Sequence, residues 1–309
     1  MLPPPDWRPH APLEPLYLDW LARAGVEVAV LRLDRIDPLI SGNKWFKLTE
    51  HLAAARQAKA EGLISLGGAH SNHLHALAAA GRRFGFATVG LLRGHPLQTP
   101  TVLDLQTFGM ELHWLGYEGY RKRHEPGFWS PWQARYPQLH AVPEGGGGLA
   151  GALGCAVLRK MVEAQLPQLG WADFHGWWLA AGTGTTAAGL VLAEAGRRAV
   201  HAALAVPGDH GVAPSMARIL EEAAMTDGGY ELVDACRGGF ARIDADLQAF
   251  ISRSEEQSGV PLEPLYTGKA LMALHRQVNS GQFDPGTRLV FVHTGGLQGR
   301  RGFIGEALA

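Results

Sequence analysis

Cysteine is scarce in this sequence, and neither sign of charge dominates it. The only 2 cysteines among 309 residues, Cys155 and Cys236, lack CxxC spacing, which argues against a disulfide framework and favours a reducing cytoplasm. The 28 Lys and Arg residues nearly balance the 29 Asp and Glu residues, and without a basic stripe we expect no nucleic-acid partner. No apolar run is long enough to span a bilayer, and the proline-rich N-terminus lacks a signal-peptide pattern. We therefore expect a cytoplasmic protein without a membrane partner.

Glycine, in contrast, is abundant, and much of the excess among its 40 residues falls in four short loops. Clustered glycines indicate places where the backbone closely approaches a ligand. The length of 309 residues suits two domains or one large α/β unit. Apolar strand patterns alternate with helical patterns along most of the chain, which predicts parallel sheets with ligands at the carboxyl ends of the strands.

Lys44 is the candidate nucleophile. It belongs to Ser41-Gly42-Asn43-Lys44, which follows a predicted buried strand over residues 26–33 and begins a predicted helix. A lysine among small and apolar residues at a helix start is partly desolvated and loses its proton more easily than a surface lysine. Its neutral amine could then form a Schiff base with a carbonyl compound. The alternative is a solvated surface lysine with no chemical role.

A second glycine loop, residues 182–186, lies between a predicted strand and a predicted helix. Backbone N–H groups and hydroxyls at such a helix start can bind a phosphate. Gly182, Gly184 and Ala187 fit the dinucleotide pattern, but residues 201–206 lack the acidic residue that binds a nucleotide ribose. No Walker lysine follows the glycines either. The loop therefore favours a cofactor with one phosphate, and a tight turn without a ligand is the alternative.

Two other kinds of site are less well supported by the residues. His70, His73 and His75 could ligate a metal, but no cysteine or carboxylate lies nearby in the sequence to complete the ligand set. Ser71 does not stand in the G-x-S-x-G pattern of a hydrolase nucleophile. We therefore expect neither a metal site nor a Ser-His-Asp hydrolase.

A phosphate loop together with a Schiff-base lysine meets the needs of pyridoxal 5′-phosphate. At this point the chain resembles the D-cysteine desulfhydrase and 1-aminocyclopropane-1-carboxylate deaminase family of pyridoxal-phosphate enzymes. The resemblance covers nearly the whole chain, because the matching motifs occur in the family's order. They are Ser41-Gly42-Asn43-Lys44, Gly67-Gly68, Ser71-Asn72-His73, Pro143-Glu144-Gly145-Gly146, Gly182-Thr183-Gly184-Thr185-Thr186, Tyr266-Thr267-Gly268-Lys269 and His293-Thr294-Gly295-Gly296.

The resemblance implies the tryptophan-synthase-β type of fold, called fold type II. In this α/β fold two domains each contain an open, twisted parallel sheet with helices on both faces, and pyridoxal phosphate lies in the cleft between them. The larger, cofactor-binding domain would comprise residues 1–44 and 145–309. The smaller inserted α/β domain would comprise residues 45–144. The family also implies a homodimer.

The resemblance further assigns roles to individual residues. Lys44 would hold the cofactor and later act as the base at the substrate Cα. Ser71, a second catalytic candidate, and its neighbouring backbone would bind the substrate carboxylate, with His73 lining the same loop. Asn72, near the substrate, would hydrogen-bond the phenolate oxygen of the cofactor ring, and Tyr266 would stand over the substrate as a further catalytic residue. The other cofactor contacts would be Gly182, Thr183, Gly184, Thr185 and Thr186 at the phosphate, and Thr267 and Thr294 near the pyridine ring.

The two threonines help to choose a reaction within the family. Ring-opening deaminases carry an acidic residue at the position of Thr267 and an apolar residue at that of Thr294. Phe240 also stands where members often have an active-site tyrosine. The resemblance therefore favours α,β-elimination from D-cysteine, which yields pyruvate, hydrogen sulfide and ammonia. The alternatives are 1-aminocyclopropane-1-carboxylate deamination and a non-catalytic protein that binds the cofactor or an amino acid.

Other departures from the family pattern leave the substrate open to a related D-amino acid. His75 replaces a usual arginine, and Cys155 replaces a common tyrosine. Gly147 and Gly148 replace more typical serine or asparagine residues. We expect these changes to alter the shape of the pocket.

Overall fold

The structure, a computed structural model, describes residues 7–225, 229–239 and 241–302. Its central strands are apolar and almost entirely buried, as expected for parallel sheets covered by helices on both faces. The strands are β1 Leu13–Pro15, β2 Glu27–Arg32, β3 Gly62–Gly67, β4 Ala87–Leu92, β5 Glu111–Trp114, β6 Leu139–Ala141, β7 Gly176–Ala181, β8 Ala199–Leu204, β9 Tyr230–Asp234 and β10 Arg288–His293. The helices are α1 Asp19–Ala24, α2 Asn43–Gln57, α3 Asn72–Phe84, α4 Pro100–Thr107, α5 Gly116–Arg121, α6 Ser130–Arg135, α7 Gly148–Cys155, α8 Val157–Glu163, α9 Thr185–Glu194, α10 Val212–Glu222, α11 Ala245–Ser258 and α12 Thr267–Asn279.

The larger sheet has six strands in the order β1-β2-β10-β7-β8-β9. Its neighbouring strands are parallel except for the edge strand β1, which runs antiparallel to β2. Trp177 and Trp178 are consecutive residues of β7, so their side chains point to opposite faces of the sheet. Both are fully buried, and they belong to separate apolar clusters. Helices therefore cover both faces of this sheet.

The smaller sheet has four parallel strands in the order β5-β4-β3-β6, all drawn from residues 62–141. The larger sheet takes its strands from before and after this segment. The structure thus confirms the expected α/β fold class with parallel sheets. Helix α2, which begins at Asn43 and spans the predicted boundary at residue 44, packs mainly against α7 from beyond residue 144. The division into residues 1–44 plus 145–309 and residues 45–144 therefore stays a prediction.

Local capping explains two differences from the sequence-based predictions. The pattern of residues 149–165 predicts a single long helix, but the structure interrupts it at Ala156, whose N–H bonds to the carbonyl of Leu153 in a tight turn. The alanine-rich pattern of residues 75–84 predicts a helix from His75, whereas α3 begins three residues earlier at Asn72, because Ser71 Oγ accepts the N–H of Leu74 over 3.2 Å. This earlier start places residues 72 and 73 within the first turn of the helix, at the carboxyl end of β3.

Candidate active site

Loops at the carboxyl ends of β2 and β10 meet with almost no space between them. A Cβ atom built on Gly42 would lie 2.2 Å from the carbonyl oxygen of Thr294, and one built on Gly295 would lie 2.5 Å from the Cα of Gly42. The N–H of Asn43 donates to the same Thr294 carbonyl over 3.1 Å. Glycine is therefore required at residue 42, which also has a φ of 79°. This contact fixes the start of α2, and with it Lys44, against the loop after β10.

The amine of Lys44 lies beside a second lysine of the same helix. Lys47 is one turn further along α2 and is 3% exposed. Burial lowers the pKa of Lys44 well below that of an ordinary lysine, and the charge of Lys47 lowers it further. A Cβ built on Gly145 would lie 3.9 Å from Lys44 Nζ and 3.2 Å from Thr183 Cγ2. The lowered pKa favours the neutral form of the Lys44 amine, which lies next to the loop that follows β7.

That loop, residues 182–186, has the chemistry of an anion site. Thr183 Oγ1 and Thr185 Oγ1 are 3.0 Å apart, and Lys47 Nζ donates to Thr183 Oγ1 over 3.4 Å. Helix α9 begins here without a side-chain cap and without an acidic residue in its first turn. Gly184, with a φ of 74°, makes the turn. Hydroxyls, an ammonium group and free N–H groups at a helix start together fit a phosphate.

The hydroxyl of Thr186 has a different partner. Its Oγ1 accepts a hydrogen bond from Asn43 Nδ2 over 2.9 Å, and the residue is 3% exposed. Its side chain thus joins the first turn of α9 to the first turn of α2. Among the predicted phosphate residues, Thr186 can offer its backbone N–H, whereas its side chain aligns the two helices.

Ser71 and Asn72 lie at the start of α3, and Asn72 is next to the loop after β10. Ser71 Oγ caps the helix, so its hydroxyl already has one partner. Asn72 Oδ1 accepts a hydrogen bond from Gln298 Nε2 over 2.9 Å. A Cβ built on Gly296 would lie 2.8 Å from Asn72 Nδ2, so that glycine leaves room for the amide. With its oxygen occupied, Asn72 can offer its NH₂ group as a donor.

His73 lies in the first turn of α3 and is 2% exposed. The Ser65 hydroxyl donates to the carbonyl of Val142 over 2.8 Å, so it accepts from His73 Nε2–H, also over 2.8 Å. Burial is the main cause that keeps the pKa of His73 well below its ordinary value. His73 is thus a buried residue in the first turn of α3, and its place in the substrate-binding loop stays a prediction.

Tyr266 and Thr267 lie at the start of α12. The ring of Tyr266 rests on Gly182, where a Cβ would lie only 2.8 Å from its Cε1. Burial raises the pKa of Tyr266, so its phenol stays protonated. Thr267 is fully buried, and its Oγ1 accepts the N–H of Glu263 over 2.9 Å and donates to the Glu263 carbonyl over 3.3 Å. Thr294 is partly exposed instead.

Sequence reasoning missed Lys47, Glu263 and Gln298. The sequence does carry a signal for Lys47, because it stands one helical turn after Lys44. It also carries a signal for Glu263, an acidic residue four positions before Thr267 at a predicted helix start. No local signal could have identified Gln298, which is 226 positions from Asn72 in the sequence.

The residues that depart from the family pattern lie at different places. His75 is buried against α4, with its Nε2 3.1 Å from Asp104 Oδ2. Cys155 is fully buried, with its Sγ 3.9 Å from Thr186 Oγ1. Gly147 and Gly148 lead into α7. Phe240 lies outside the described residues.

No cluster of candidate metal ligands is present within residues 7–225, 229–239 and 241–302. In those ranges no group of three or more His, Cys, Asp or Glu residues could hold a metal ion. His73 and His75 instead contact Ser65 and Asp104, on different sides of α3. A separate finding for the same ranges is that no helix is long and apolar enough to cross a bilayer.

Known proteins resemble this chain over nearly its whole length. The family model described as pyridoxal-phosphate dependent enzyme matches residues 10–295. A Pyrococcus furiosus protein named putative 1-aminocyclopropane-1-carboxylate deaminase is 30% identical over 294 residues, covering 89% of this chain and 86% of the relative. An Arabidopsis thaliana protein named bifunctional D-cysteine desulfhydrase/1-aminocyclopropane-1-carboxylate deaminase, mitochondrial, is 25% identical, covering 96% and 82%. A solved structure titled as an ACC deaminase homologue matches with a TM-score of 0.82 at 24% identity, covering 99% and 94%.

Proposed function

Since the chain belongs to the family of pyridoxal-phosphate-dependent enzymes, we propose that it is a lyase that removes the β-substituent of a small D-amino acid, with D-cysteine as the substrate. In this reaction D-cysteine and water give pyruvate, hydrogen sulfide and ammonia. The observation that carries the proposal is the neutral amine of Lys44 beside a loop suited to a phosphate.

Pyridoxal 5′-phosphate is the cofactor of this family, and the residues of the site fit both of its ends. We assign the phosphate to the hydroxyls of Thr183 and Thr185, the ammonium of Lys47 and the first N–H groups of α9. We assign Lys44 as the residue that binds the carbonyl carbon of the cofactor. The NH₂ group of Asn72, whose oxygen is held by Gln298, would donate to the phenolate oxygen of the ring. When bound, the cofactor would accept the electron pair that proton removal leaves at the substrate Cα.

The residues around the cofactor would act on the substrate in three ways. The neutral amine of Lys44 takes the proton from Cα, and its lowered pKa keeps it available as a base near neutral pH. The N–H groups at the start of α3, which Ser71 caps, bind the substrate carboxylate. Tyr266 covers the substrate with its protonated phenol, which can donate a hydrogen bond to the departing sulfur.

The choice of D-cysteine rests on the residues assigned to the pyridine nitrogen. Because the hydroxyl of Thr267 is bound to the backbone of Glu263, we assign this contact to Thr294. A neutral hydroxyl cannot keep the ring nitrogen protonated as a carboxylate would, so the ring would delocalise the carbanion less. Limited delocalisation suits β-elimination. The name of the 30% identical Pyrococcus furiosus relative favours the rival reaction, which is deamination of 1-aminocyclopropane-1-carboxylate.

Product analysis of the cofactor-loaded enzyme separates these reactions. We expect equal amounts of pyruvate and sulfide from D-cysteine, much less from L-cysteine, and no 2-oxobutyrate from 1-aminocyclopropane-1-carboxylate. Lys44→Ala should fold normally and release no pyruvate. Production of 2-oxobutyrate alone would replace the proposed reaction with ring opening. Cofactor binding without any product would favour a non-catalytic binding protein.

We also propose a cytoplasmic homodimer. The two free, buried cysteines are consistent with a reducing compartment. Leu153 and Val157 expose 48% and 46% of their surfaces close together in the sequence, which is consistent with a covered apolar patch. Light scattering after gel filtration would give the mass of the particle, and a monomer at micromolar concentration would contradict the dimer.

A further inference from the structure

The Glu263 carboxylate is bound to the backbone that carries the two predicted site residues of α12. The residue is 2% exposed. Its Oε1 accepts the N–H groups of Tyr266 and Thr267, each over 2.6 Å. Its Oε2 accepts the N–H of Leu265 over 2.8 Å. One buried side chain thus binds three consecutive amides.

The backbone of Glu263 is in turn hydrogen-bonded to residues 267 and 268. We call residues 263–268 the closed loop. Thr267 Oγ1 accepts the N–H of Glu263 over 2.9 Å, and the Glu263 carbonyl accepts the N–H of Gly268 over 2.9 Å. The first N–H groups of a helix have no partner within the helix and need one elsewhere. Glu263 supplies that partner from outside α12, where the side chain of Tyr266 makes no capping hydrogen bond.

The closed loop also touches the other loops of the candidate site. A Cβ built on Gly296 would lie 3.3 Å from Glu263 Cγ and 2.8 Å from Asn72 Nδ2. His293 Nε2 lies 2.7 Å from the Pro261 carbonyl, where it can donate a hydrogen bond two residues before Glu263. Glu263 is therefore packed where the chain after β10 meets α3 and α12, and a shift of its carboxylate would move the site residues of α12.

A carboxylate is a costly choice for a buried helix cap that serves stability alone. Burial raises the pKa of Glu263 to about 7, against the opposing effect of its hydrogen bonds to the backbone. Caps that serve stability alone are commonly short polar side chains near the surface, such as Asp244 at the start of α11, which is outside this site. The longer side chain of Glu263 instead reaches three amides at once from within the protein.

We propose that Glu263 is a positioning residue that sets the places of Tyr266 and Thr267 in the site. It holds the backbone of both residues, so that the ring of Tyr266 rests on Gly182. Glu263 itself contacts neither substrate nor cofactor. This inference rests on the proposed function only for what Tyr266 does, since the backbone contacts exist without any ligand.

Glu263→Gln is the main test, because it keeps the size of the side chain but replaces one acceptor with a donor. We expect kcat to fall about 100-fold, as for a small displacement of a reacting group, with KM changed far less. Glu263→Asp, which is one methylene shorter, should recover part of the activity and serves as the second variant if glutamine prevents folding. Equal kcat values for the wild type and Glu263→Gln would overturn the proposal.

A matched control separates positioning from general stability. Glu194 is also fully buried and hydrogen-bonded, to Trp177 and Arg198, but it ends α9, roughly 14 Å from the start of that helix. Glu194→Gln should lower the melting temperature without changing kcat. If both variants lose kcat in proportion to melting temperature, Glu263 is a stability residue only.

A double variant tests whether Glu263 acts through Tyr266. Tyr266→Phe removes the hydroxyl, so Glu263→Gln should lower activity less in that background than in the wild type. Fully multiplicative losses would contradict action through Tyr266.

Hydrogen exchange gives a readout that does not depend on catalysis. In protein without cofactor, the amides of residues 265–267 should exchange at least about tenfold faster in Glu263→Gln than in the wild type or Glu194→Gln. If the wild type fails to turn over D-cysteine but this difference is present, the proposed function is wrong and the backbone role of Glu263 stands. Unchanged exchange together with normal D-cysteine turnover would overturn the role of Glu263 alone.

Discussion

Lys47 Nζ donates a hydrogen bond to Thr183 Oγ1 across 3.4 Å, so the helix that carries Lys44 is joined by a charged contact to the loop at the start of α9. The same ammonium lowers the pKa of Lys44, although burial contributes more. Lys47 therefore contacts the loop after β7 and also affects the amine of Lys44. In the proposed site its ammonium would bind the phosphate, and it lowers the pKa of the neighbouring Lys44 amine.

Lys47→Gln should weaken binding of pyridoxal 5′-phosphate by about 10- to 100-fold, because it removes one charge-assisted hydrogen bond. It should also raise the pKa of Lys44, since a positive neighbour is lost, and so move the acid limb of the rate profile to higher pH. Titration of the cofactor by absorbance gives the affinity. Lys160→Gln, at an exposed position of α8, is the control. Equal affinity in both variants would remove Lys47 from the phosphate site.

Gly182→Ala should lower kcat/KM for the substrate by about tenfold to 100-fold, because the added Cβ would lie 2.8 Å from Tyr266 Cε1 and must displace the ring. Gly208→Ala is a matched control, since nothing lies within 4 Å of the Cβ position there. Steady-state kinetics of the two variants make the comparison. Wild-type kinetics in Gly182→Ala would show that the position of Tyr266 has little effect on the reaction.

The two threonines should respond to valine substitution in opposite ways. Thr267→Val removes the partner of the buried Glu263 N–H, so it should reduce the free energy of unfolding by about 1–3 kcal/mol. Thr294→Val should leave stability nearly unchanged but alter kcat and the visible spectrum of the bound cofactor. Urea denaturation and product assays on both variants provide the measurements. The reverse pattern would assign the ring contact to Thr267.

His51 should make the protein sensitive to acid. Burial lowers its pKa to about 4, and its Nε2 lies 3.1 Å from the Gly147 carbonyl, to which it can donate. Because the folded pKa lies below the unfolded value of about 6.5, this group stabilises the fold above that pH, and the stability is lost as pH falls towards 4. Between pH 7.5 and pH 5 the loss from this residue is about 2 kcal/mol.

His51→Gln tests this linkage, because glutamine can donate to the same carbonyl and does not titrate. Urea unfolding at the two pH values should show a smaller loss of stability in the variant than in the wild type. The other buried histidines titrate in both proteins, so their contribution cancels in the difference. Parallel losses would show that His51 is not responsible.

Local patterns predicted much of this fold because the information lies within a few residues. The apolar runs that become β3, β7 and β10, and the glycine loops after them, were readable from the sequence. The edge strands β1 and β9 were not, because one lies in a proline-rich segment and the other is partly exposed. Edge strands bury fewer side chains, so their apolar pattern is weaker.

The sequence by itself determined the α/β class, the family, its cofactor and the order of the motifs, since each depends on residue types at short spacings. Only the tertiary structure decided which of those residues meet. It brought Lys47 to Thr183, Gln298 to Asn72 and the carboxylate of Glu263 to the start of α12. It also engaged the Thr267 hydroxyl with the backbone and buried His73 in the first turn of α3. These outcomes depend on how the loops at the strand ends pack together, and no pattern within a single segment of chain contains that information.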